Sequence, residues 1–338
     1  MRVGIIGTGA IAHLHARAYK SIGFTVRVCT NNSEEKGRAF ADLYGAEFVG
    51  DFQAVCSHPE VDVVDLCTLP NVRLDVVRAC VAHRKPLQVQ KPIATTVEIA
   101  AEMLKVAHEG RIPLGVVSQH RFDDSIQFLA RAIADQRLGR LIQCDAYVKW
   151  YRSAAYYARP VKGSWAGEGG GALINQGIHQ VDILRWLAGP VRNLSARWQL
   201  GVLHHVESED VVSAVLQYES GATGVIQAST AFSPGYTERL EIHGSKGTAI
   251  VSGDTLTTWD VKDDIGDTAP VARTVASGSS DPMAISLTPF ERQFIDFSDA
   301  IREGREPLVS GEDGYQALRI VDAIYRSCRS LDTVSLVS

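Results

Sequence analysis

The sequence predicts an α/β protein in two parts. Residues 1–120 read as a doubly wound parallel sheet, and 121–338 as an α/β domain built on a large, mostly antiparallel open sheet. Three observations predict it. A glycine loop, Gly7-Thr8-Gly9-Ala10-Ile11-Ala12, follows the apolar run Val3–Ile6 and opens a helical stretch. Short apolar strands alternate with helical segments as far as Val117, as parallel crossovers require. Beyond residue 120, strand-like runs follow one another with turns between them, which favours antiparallel pairing.

In the first part the order is a strand over Val3–Ile6, a helix to Tyr19, a strand over Phe24–Cys29, and a helix over Glu34–Tyr44 stopped by Gly45. A strand over Asp62–Cys67 and a helix over Leu74–His83 come next. A strand over Leu87–Gln90, a helix over Thr96–Glu109 and a strand over Leu114–Val117 complete it. In the second part a helix over Ser125–Asp135 precedes strands over Leu141–Tyr151, Asn193–Leu200, Val211–Tyr218, Thr223–Ser229, Arg239–His243 and Thr248–Val251. Gly221 and Ser245-Lys246-Gly247 turn the chain between them. Residues 260–285 read as a loop or weak hairpin, and helices over Pro289–Glu303 and Glu312–Arg329 follow.

The totals narrow the function. A chain of 338 residues suits two domains. Net charge is −5 with a pI of about 6.1, and no lysine/arginine cluster exists to neutralise phosphates, so no nucleic-acid partner is expected. No apolar run reaches the ~18 residues of a membrane helix. The six cysteines are scattered without a Cys-x-x-Cys pair, so the chain reads as a reduced, cytoplasmic protein with no metal.

The glycine loop has the form that a dinucleotide needs. Gly7 permits the tight turn, Gly9 lets the backbone approach a pyrophosphate, and Ala12 keeps helix and strand close. Thr8, Ala10 and Ile11 complete the cradle, with the helix N-terminus facing the anion. At the end of the second strand no acid precedes Glu34; Thr30-Asn31-Asn32-Ser33 stands where NAD enzymes place a carboxylate. With Lys36 and Arg38 nearby this leans to NADP, while Thr30 or Asn31 bonded to the ribose of NAD is the alternative.

A lysine closes a later strand in Gln90-Lys91-Pro92, placed to meet what the dinucleotide reacts with. A second cluster, Glu168-Gly169-Gly170-Gly171 running on to Asp182, reads as a glycine loop leading into an amphipathic helix. Asn175, His179 and Asp182 then share one face at i, i+4 and i+7. His179 is the candidate partner of Lys91; Asp182 divides evenly between site and structural hydrogen bond. His13 and His15 read as helix-packing or cofactor-flanking, and His204 as a loop residue. Arg152, Tyr156, Tyr157, Arg159 and Trp165 offer the aromatic faces and fixed donors that suit a polyhydroxylated ring, with Gln119 and Arg121 at the domain junction.

With these motifs in order, the chain resembles the glucose-fructose oxidoreductase/inositol dehydrogenase (Gfo/Idh/MocA) family over essentially its whole length. Gly7–Ala12 is similar to the family's cofactor loop and Cys67–Asn71 to its Thr-Pro-Asn turn, which places Pro70 and Asn71 beside the cofactor. Gln90-Lys91-Pro92 resembles its Glu-Lys-Pro, placing Gln90 and Lys91 there too, and Gly169–Asp182 its Gly-Gly-Gly…His-x-x-Asp stretch. The resemblance implies a Rossmann domain, a second domain whose open sheet makes a homo-oligomer (dimer or tetramer), and hydride transfer between NAD or NADP and a hydroxyl-bearing carbon of a sugar or cyclitol. It implies catalytic roles for Lys91 and His179. Three positions depart from the pattern: Gln90 for glutamate, Asn175 for a catalytic aspartate, and Leu74 for a histidine.

These departures leave a lysine–histidine acid–base pair, with Asn175 beside it, rather than a triad. A neutral Gln90 also removes a carboxylate that would hold the proton on Lys91. Two other readings are a glycosidase that oxidises its sugar transiently with bound NAD, and a dinucleotide-binding sensor without catalysis.

Overall fold

The computed structural model describes residues 1–263 and 286–337. The chain divides into two compact units, Met1–Gln119 with Leu287–Tyr315, and His120–Ser286 with Gln316–Ser338. The sequence boundary at 120 differs from this division by the segment 287–315, which packs with the first unit.

The first unit runs β1 (Arg2–Ile6), α1 (Ala10–Ser21), β2 (Thr25–Thr30), α2 (Glu34–Tyr44), β3 (Glu47–Phe48), α3 (Phe52–Ser57), β4 (Val63–Leu66), α4 (Arg73–Ala82), β5 (Leu87–Gln90), α5 (Val97–Glu109) and β6 (Leu114–Val117). Its six strands lie in the order β3-β2-β1-β4-β5-β6, every neighbouring pair parallel. β4, β5 and β6 are buried at every residue, because helices cover a parallel sheet on both faces. Local chemistry sets the helix ends. Ser33 accepts the Lys36 N–H at the start of α2, Gly45 closes it in the left-handed region at φ 69°, and Thr96 caps α5. β3 and α3 escape a sequence reading because neither is long enough to show a period. The strand order reverses between β1 and β4, so Gly7 and Cys67, just past their carboxyl ends, meet at the switch point where such sheets bind ligands.

The second unit holds α6 (Asp124–Ala134), β7 (Leu141–Lys149), α7 (Ala154–Tyr157), α8 (Trp165–Glu168), α9 (Ile178–Ala188), β8 (Val191–Leu200), β9 (Glu209–Tyr218), β10 (Thr223–Ser229), β11 (Arg239–Gly244), β12 (Gly247–Ser252) and β13 (Thr255–Val261). Its sheet runs β13-β12-β11-β7-β10-β9-β8 and ends on β14 (Val334–Ser335). Pairing is antiparallel except between β7 and β10. Of the segment 260–285, 260 and 261 end β13, and 264–285 lie outside the described residues. α10 (Thr288–Glu303) belongs to the first unit, its Phe297 ring lying against Gly115 of β6. α11 (Gly311–Ser330) begins in the first unit and ends in the second.

The expected single amphipathic helix is replaced by two segments, a π turn over Leu173–Gly177 and then α9. The wider turn breaks the i, i+4, i+7 stripe. From Gly171 to Leu184 all side chains are buried except Asn175 and His179. The polar stripe therefore shrinks to two residues, and Asp182 turns into the interior.

Candidate active site

The glycine loop fits a pyrophosphate. Gly7 sits at φ +90°, and a Cβ there would press on the backbone of Cys67 and Thr68 at 3.1 Å, so only glycine allows the turn. A Cβ at Gly9 would meet nothing within 4 Å; the open side is where a phosphate can approach. Gly9 caps α1 without a side-chain bond, no acid lies in the first turn, and the helical bonds begin at Ala12 N–H to Gly9. That leaves an N-terminus suited to an anion. Asn31 Nδ2 donates to Thr8 Oγ1 at 2.6 Å, and Asn31 Oδ1 accepts Ser33 N–H at 2.8 Å, joining the end of β2 to the loop. Nearby, Arg38 is paired with Glu34 at 2.7 Å and lies over the Phe48 ring.

At the carboxyl end of β5, Lys91 is half-buried and its bond to Pro92 is cis. The chain around it is held by Arg73, a residue the sequence reading passed over. Its guanidinium is 2% exposed and donates to the carbonyls of Gln90, Pro92 and Thr68. Burial lowers its pKa to about 9, with Cys67 and Asp65 acting the other way. The signal in sequence was an arginine directly after the Pro70–Val72 turn, where it opens α4. Pro70 is buried in that turn and Asn71 exposed. Gln90 is buried, with its amide on His15 at 2.8 Å and its Oε1 on the Lys91 N–H at 3.1 Å. It serves the peptide before Lys91. His13 packs as expected, against Phe40 and Tyr44.

In the second unit the glycine loop is tied down by Glu209, also absent from the sequence reading. Its carboxylate accepts the N–H groups of Gly171 and Leu173 and the Tyr325 hydroxyl, each at 2.8 Å. A Cβ on Gly171 would fall 1.9 Å from the Glu209 carbonyl, so the close approach demands glycine. Burial pushes the Glu209 carboxyl up to about 7. Glu168, buried, accepts Gly163 N–H at 2.9 Å and pairs with Lys162. Asn175 Nδ2 donates to Glu168 Oε2 at 3.3 Å and to the Gly171 carbonyl at 3.1 Å. An aspartate at 175 would set a second carboxylate against these acceptors, which accounts for asparagine.

One turn on, the His179 ring meets that of His120 edge-on at 5.0 Å, and His120 Nδ1 bonds Asp123 Oδ2 at 2.8 Å. The sequence reading named Gln119 and Arg121 and missed the histidine between them. Arg121 is corrected to an internal role: it is 1% exposed, bonds both oxygens of Asp182 at 2.8 and 2.6 Å, and lies over Trp186. It anchors α9. Asp182 takes the structural alternative. Gln119, two residues before Arg121, is buried at the end of the first unit.

The remaining candidates fall into separate groups. Tyr156 is ringed by Arg152, Arg159 and Lys162 at 5.7, 4.5 and 5.1 Å, and its hydroxyl accepts Gln176 Nε2 at 3.0 Å. The other oxygen-bearing end of Gln176 is buried without a partner. Gln176 is the member of this group next to Asn175 in sequence. Tyr157 instead bonds Thr230 at 2.7 Å and lies against the His204 ring at 4.4 Å, a residue buried within the loop between β8 and β9. Trp165 is built into a cluster with Trp198, Tyr325 and Arg329. Both side chains are engaged within the second unit, Tyr157 through Thr230 and Trp165 through the Glu207 carbonyl and the Tyr325 ring.

Comparison with known proteins identifies the family of both units. A family model described as an oxidoreductase family with an NAD-binding Rossmann fold matches residues 1–117, and one described as the GFO/IDH/MocA C-terminal domain matches 126–250. The chain is 27% identical over 341 residues to inositol 2-dehydrogenase of Rhizobium meliloti (strain 1021), covering 99% of each. It is 28% identical over 346 residues to D-apiose dehydrogenase of Paraburkholderia graminis, covering 99% of this chain and 89% of the relative. The WlbA dehydrogenase of Bordetella pertussis, solved with NADH and UDP-GlcNAcA, superposes with a TM-score of 0.90 at 26% identity over 100% of this chain and 98% of that one.

Proposed function

The chain belongs to the Gfo/Idh/MocA family of NAD-binding oxidoreductases, and we propose that it moves a hydride between NAD and a hydroxyl-bearing carbon of a sugar, sugar derivative or cyclitol, with Lys91 and His179 sharing the proton. It is an NAD(P)-dependent enzyme acting on CH–OH groups, as its relatives are. The observation that carries the finer reading is a repeated pattern. In each unit a titratable side chain keeps partial exposure at a point that buried ionisable groups hold in place, Lys91 between carbonyls bonded by Arg73, and His179 on α9, which Asp182 anchors and which follows the turn that Glu209 holds.

The bound dinucleotide supplies the hydride acceptor. The chain supplies the rest: the α1 N-terminus binds the pyrophosphate, one of Lys91 and His179 takes the hydroxyl proton, and the other donates a hydrogen bond to the same oxygen. Asn175 orients that hydroxyl. The NAD-binding Rossmann model over residues 1–117 and the NADH held by the similar WlbA structure support NAD as the cofactor. The names of the relatives, an inositol and an apiose dehydrogenase, support a polyol substrate, and no observation favours the glycosidase or the sensor. The outward face of the second sheet, where Val215 is exposed, is the surface proposed to meet a second copy; sedimentation of the purified protein tests it.

Absorbance of reduced cofactor, with NAD and NADP, against sugars, cyclitols and glycosides tests the reaction. Reduction by a free sugar or cyclitol, faster with NAD, is expected; aglycone release without reduced cofactor overturns it. Lys91→Ala and His179→Ala should each lower kcat by ~10²–10⁴-fold with cofactor affinity kept. Unchanged turnover in both removes the pair.

A further inference from the structure

We infer that Gln90, His15 and Asp65 form a buried line of hydrogen bonds that positions the Lys91 peptide, and that glutamine at 90 is there because both ends of its amide are used. The inference rests on Lys91 being an acid–base group.

The line is continuous. Tyr19 donates its hydroxyl to Asp65 Oδ2 at 2.9 Å, and the same oxygen lies 2.7 Å from His15 Nδ1. On the far side of the ring, His15 Nε2 lies 2.8 Å from the amide nitrogen of Gln90. The Gln90 Oε1 then accepts the Lys91 N–H at 3.1 Å. His15 and Asp65 are wholly buried, and Gln90 is 6% exposed. Phe290 and Phe294 pack against the imidazole at 5.3 and 5.0 Å, which holds the ring in its plane and keeps water out.

The bonding pattern assigns the protons. A carboxylate only accepts, so Nδ1 carries the hydrogen that faces Asp65. Nε2 then presents a lone pair and needs a donor. The amide of glutamine supplies one while its carbonyl oxygen serves the Lys91 N–H. A glutamate could serve the N–H but would bring a lone pair to a lone pair at His15. The histidine and glutamine therefore fit one another, as a histidine–glutamate pair in this tautomer does not.

The line meets Arg73 at a single peptide group. The Gln90–Lys91 peptide has its carbonyl held by Arg73 and its N–H held by the Gln90 side chain. With the Pro92 carbonyl also on Arg73, the backbone on either side of Lys91 is fixed. His15, Asp65 and Cys67 are also close enough to be weighed as a metal site. Asp65 already takes Nδ1, however, and burial pushes the Cys67 thiol well up, so no thiolate stands ready. Positioning is what this group does. Gln90, His15 and Asp65 act here through the Lys91 peptide.

Imidazole nitrogen NMR of the full chain, without substrate, tests the line directly. The His15 proton is expected on Nδ1, and the Nε2 signal should shift in Gln90→Met, which keeps the shape and removes both bonds. A proton on Nε2 in the wild type overturns the inference. With the panel sugar or cyclitol that reduces NAD fastest, Gln90→Met should lose on the order of 10- to 100-fold in kcat at unchanged NAD affinity. Gln90→Glu, which keeps the bond to Lys91, should recover part of that; if Gln90→Met does not fold, the loss of kcat in Gln90→Glu alone decides. In combination with His15→Phe the losses should not add. An inactive Lys91→Ala beside a fully active Gln90→Met or Gln90→Glu overturns the positioning line alone. A fully active Lys91→Ala overturns the reading beneath it, and the inference with it.

Discussion

The loop at Lys91 and the segment from Gly171 to His179 solve one problem with opposite charges. Each must hold a half-exposed side chain still, and each leans on ionisable groups that are almost wholly buried. Around Lys91 the group is a cation: Arg73 gathers the carbonyls of Thr68, Gln90 and Pro92. Around Asn175 and His179 the groups are carboxyls: Glu209 gathers the N–H groups of Gly171 and Leu173, and Glu168 takes those of Gly163 and the Asn175 amide. The difference follows from the backbone. A strand leaving a parallel sheet presents spare carbonyls, which want donors; a chain entering a helix presents spare N–H groups, which want acceptors. The charge of a supporting residue is thus set by which end of an element it serves.

The comparison is broken most severely where an anion is itself paired with a buried cation. Asp182→Ala strips the carboxylate from Arg121 inside α9's packing, leaving a buried guanidinium without its two short bonds. The cost should be about 3–5 kcal/mol. Arg73→Met leaves only neutral carbonyls behind and should cost less, about 1–3 kcal/mol. Urea unfolding of the two variants checks the ranking; equal losses would mean that charge pairing adds nothing beyond hydrogen bonding here.

Next in size is the pH dependence that Glu209 brings. Its carboxyl is pushed up to about 7 by burial, from 4.5 in a model peptide. Between those values the folded chain keeps a proton that the unfolded chain has released. Stability from this group is therefore present in full below about pH 4.5 and declines as pH rises to about 7, by on the order of 3 kcal/mol. Glu209→Gln should flatten that decline. Unfolding measured at pH 5 and pH 8 in both proteins isolates it from other titrating groups; identical slopes would show that the three donors keep the carboxyl ionised throughout.

Much of this was legible in sequence. The glycine loop and the long helices and strands of the first unit were readable because periodicity and turn chemistry act over neighbouring residues; the same chemistry in sequence is what singles out Lys91, Asn175 and His179 as the proposed site. The supports were not. Arg73 lies 18 residues before Lys91, Glu209 lies 34 after Asn175, and Asp65 lies 50 beyond His15; each pairing depends on which strands become neighbours. Arg121 misled for the same reason, since an arginine near a site reads as a ligand until its partner Asp182 is found. The π turn was equally hidden, because one extra residue in a turn leaves the composition unchanged.

Asn175 offers the finest test of the comparison, because here sequence departs from its family and the structure gives a cause. Its Nδ2 donates to Glu168 Oε2 at 3.3 Å and to the Gly171 carbonyl at 3.1 Å. Asn175→Asp would replace a donor with an acceptor facing a carboxylate and a carbonyl. The loss of stability should be about 1–2 kcal/mol, the cost of a bond broken and a like charge brought near. Glu168→Gln in the same chain returns a donor to the contact, so the double variant should recover most of the loss even though Glu168→Gln alone weakens the bond to Lys162. Thermal unfolding of the four proteins completes the cycle. Additive losses would mean that asparagine stands at 175 for the sake of a bound hydroxyl and not for Glu168, and the anionic scaffold of the second unit would then stop short of the site itself.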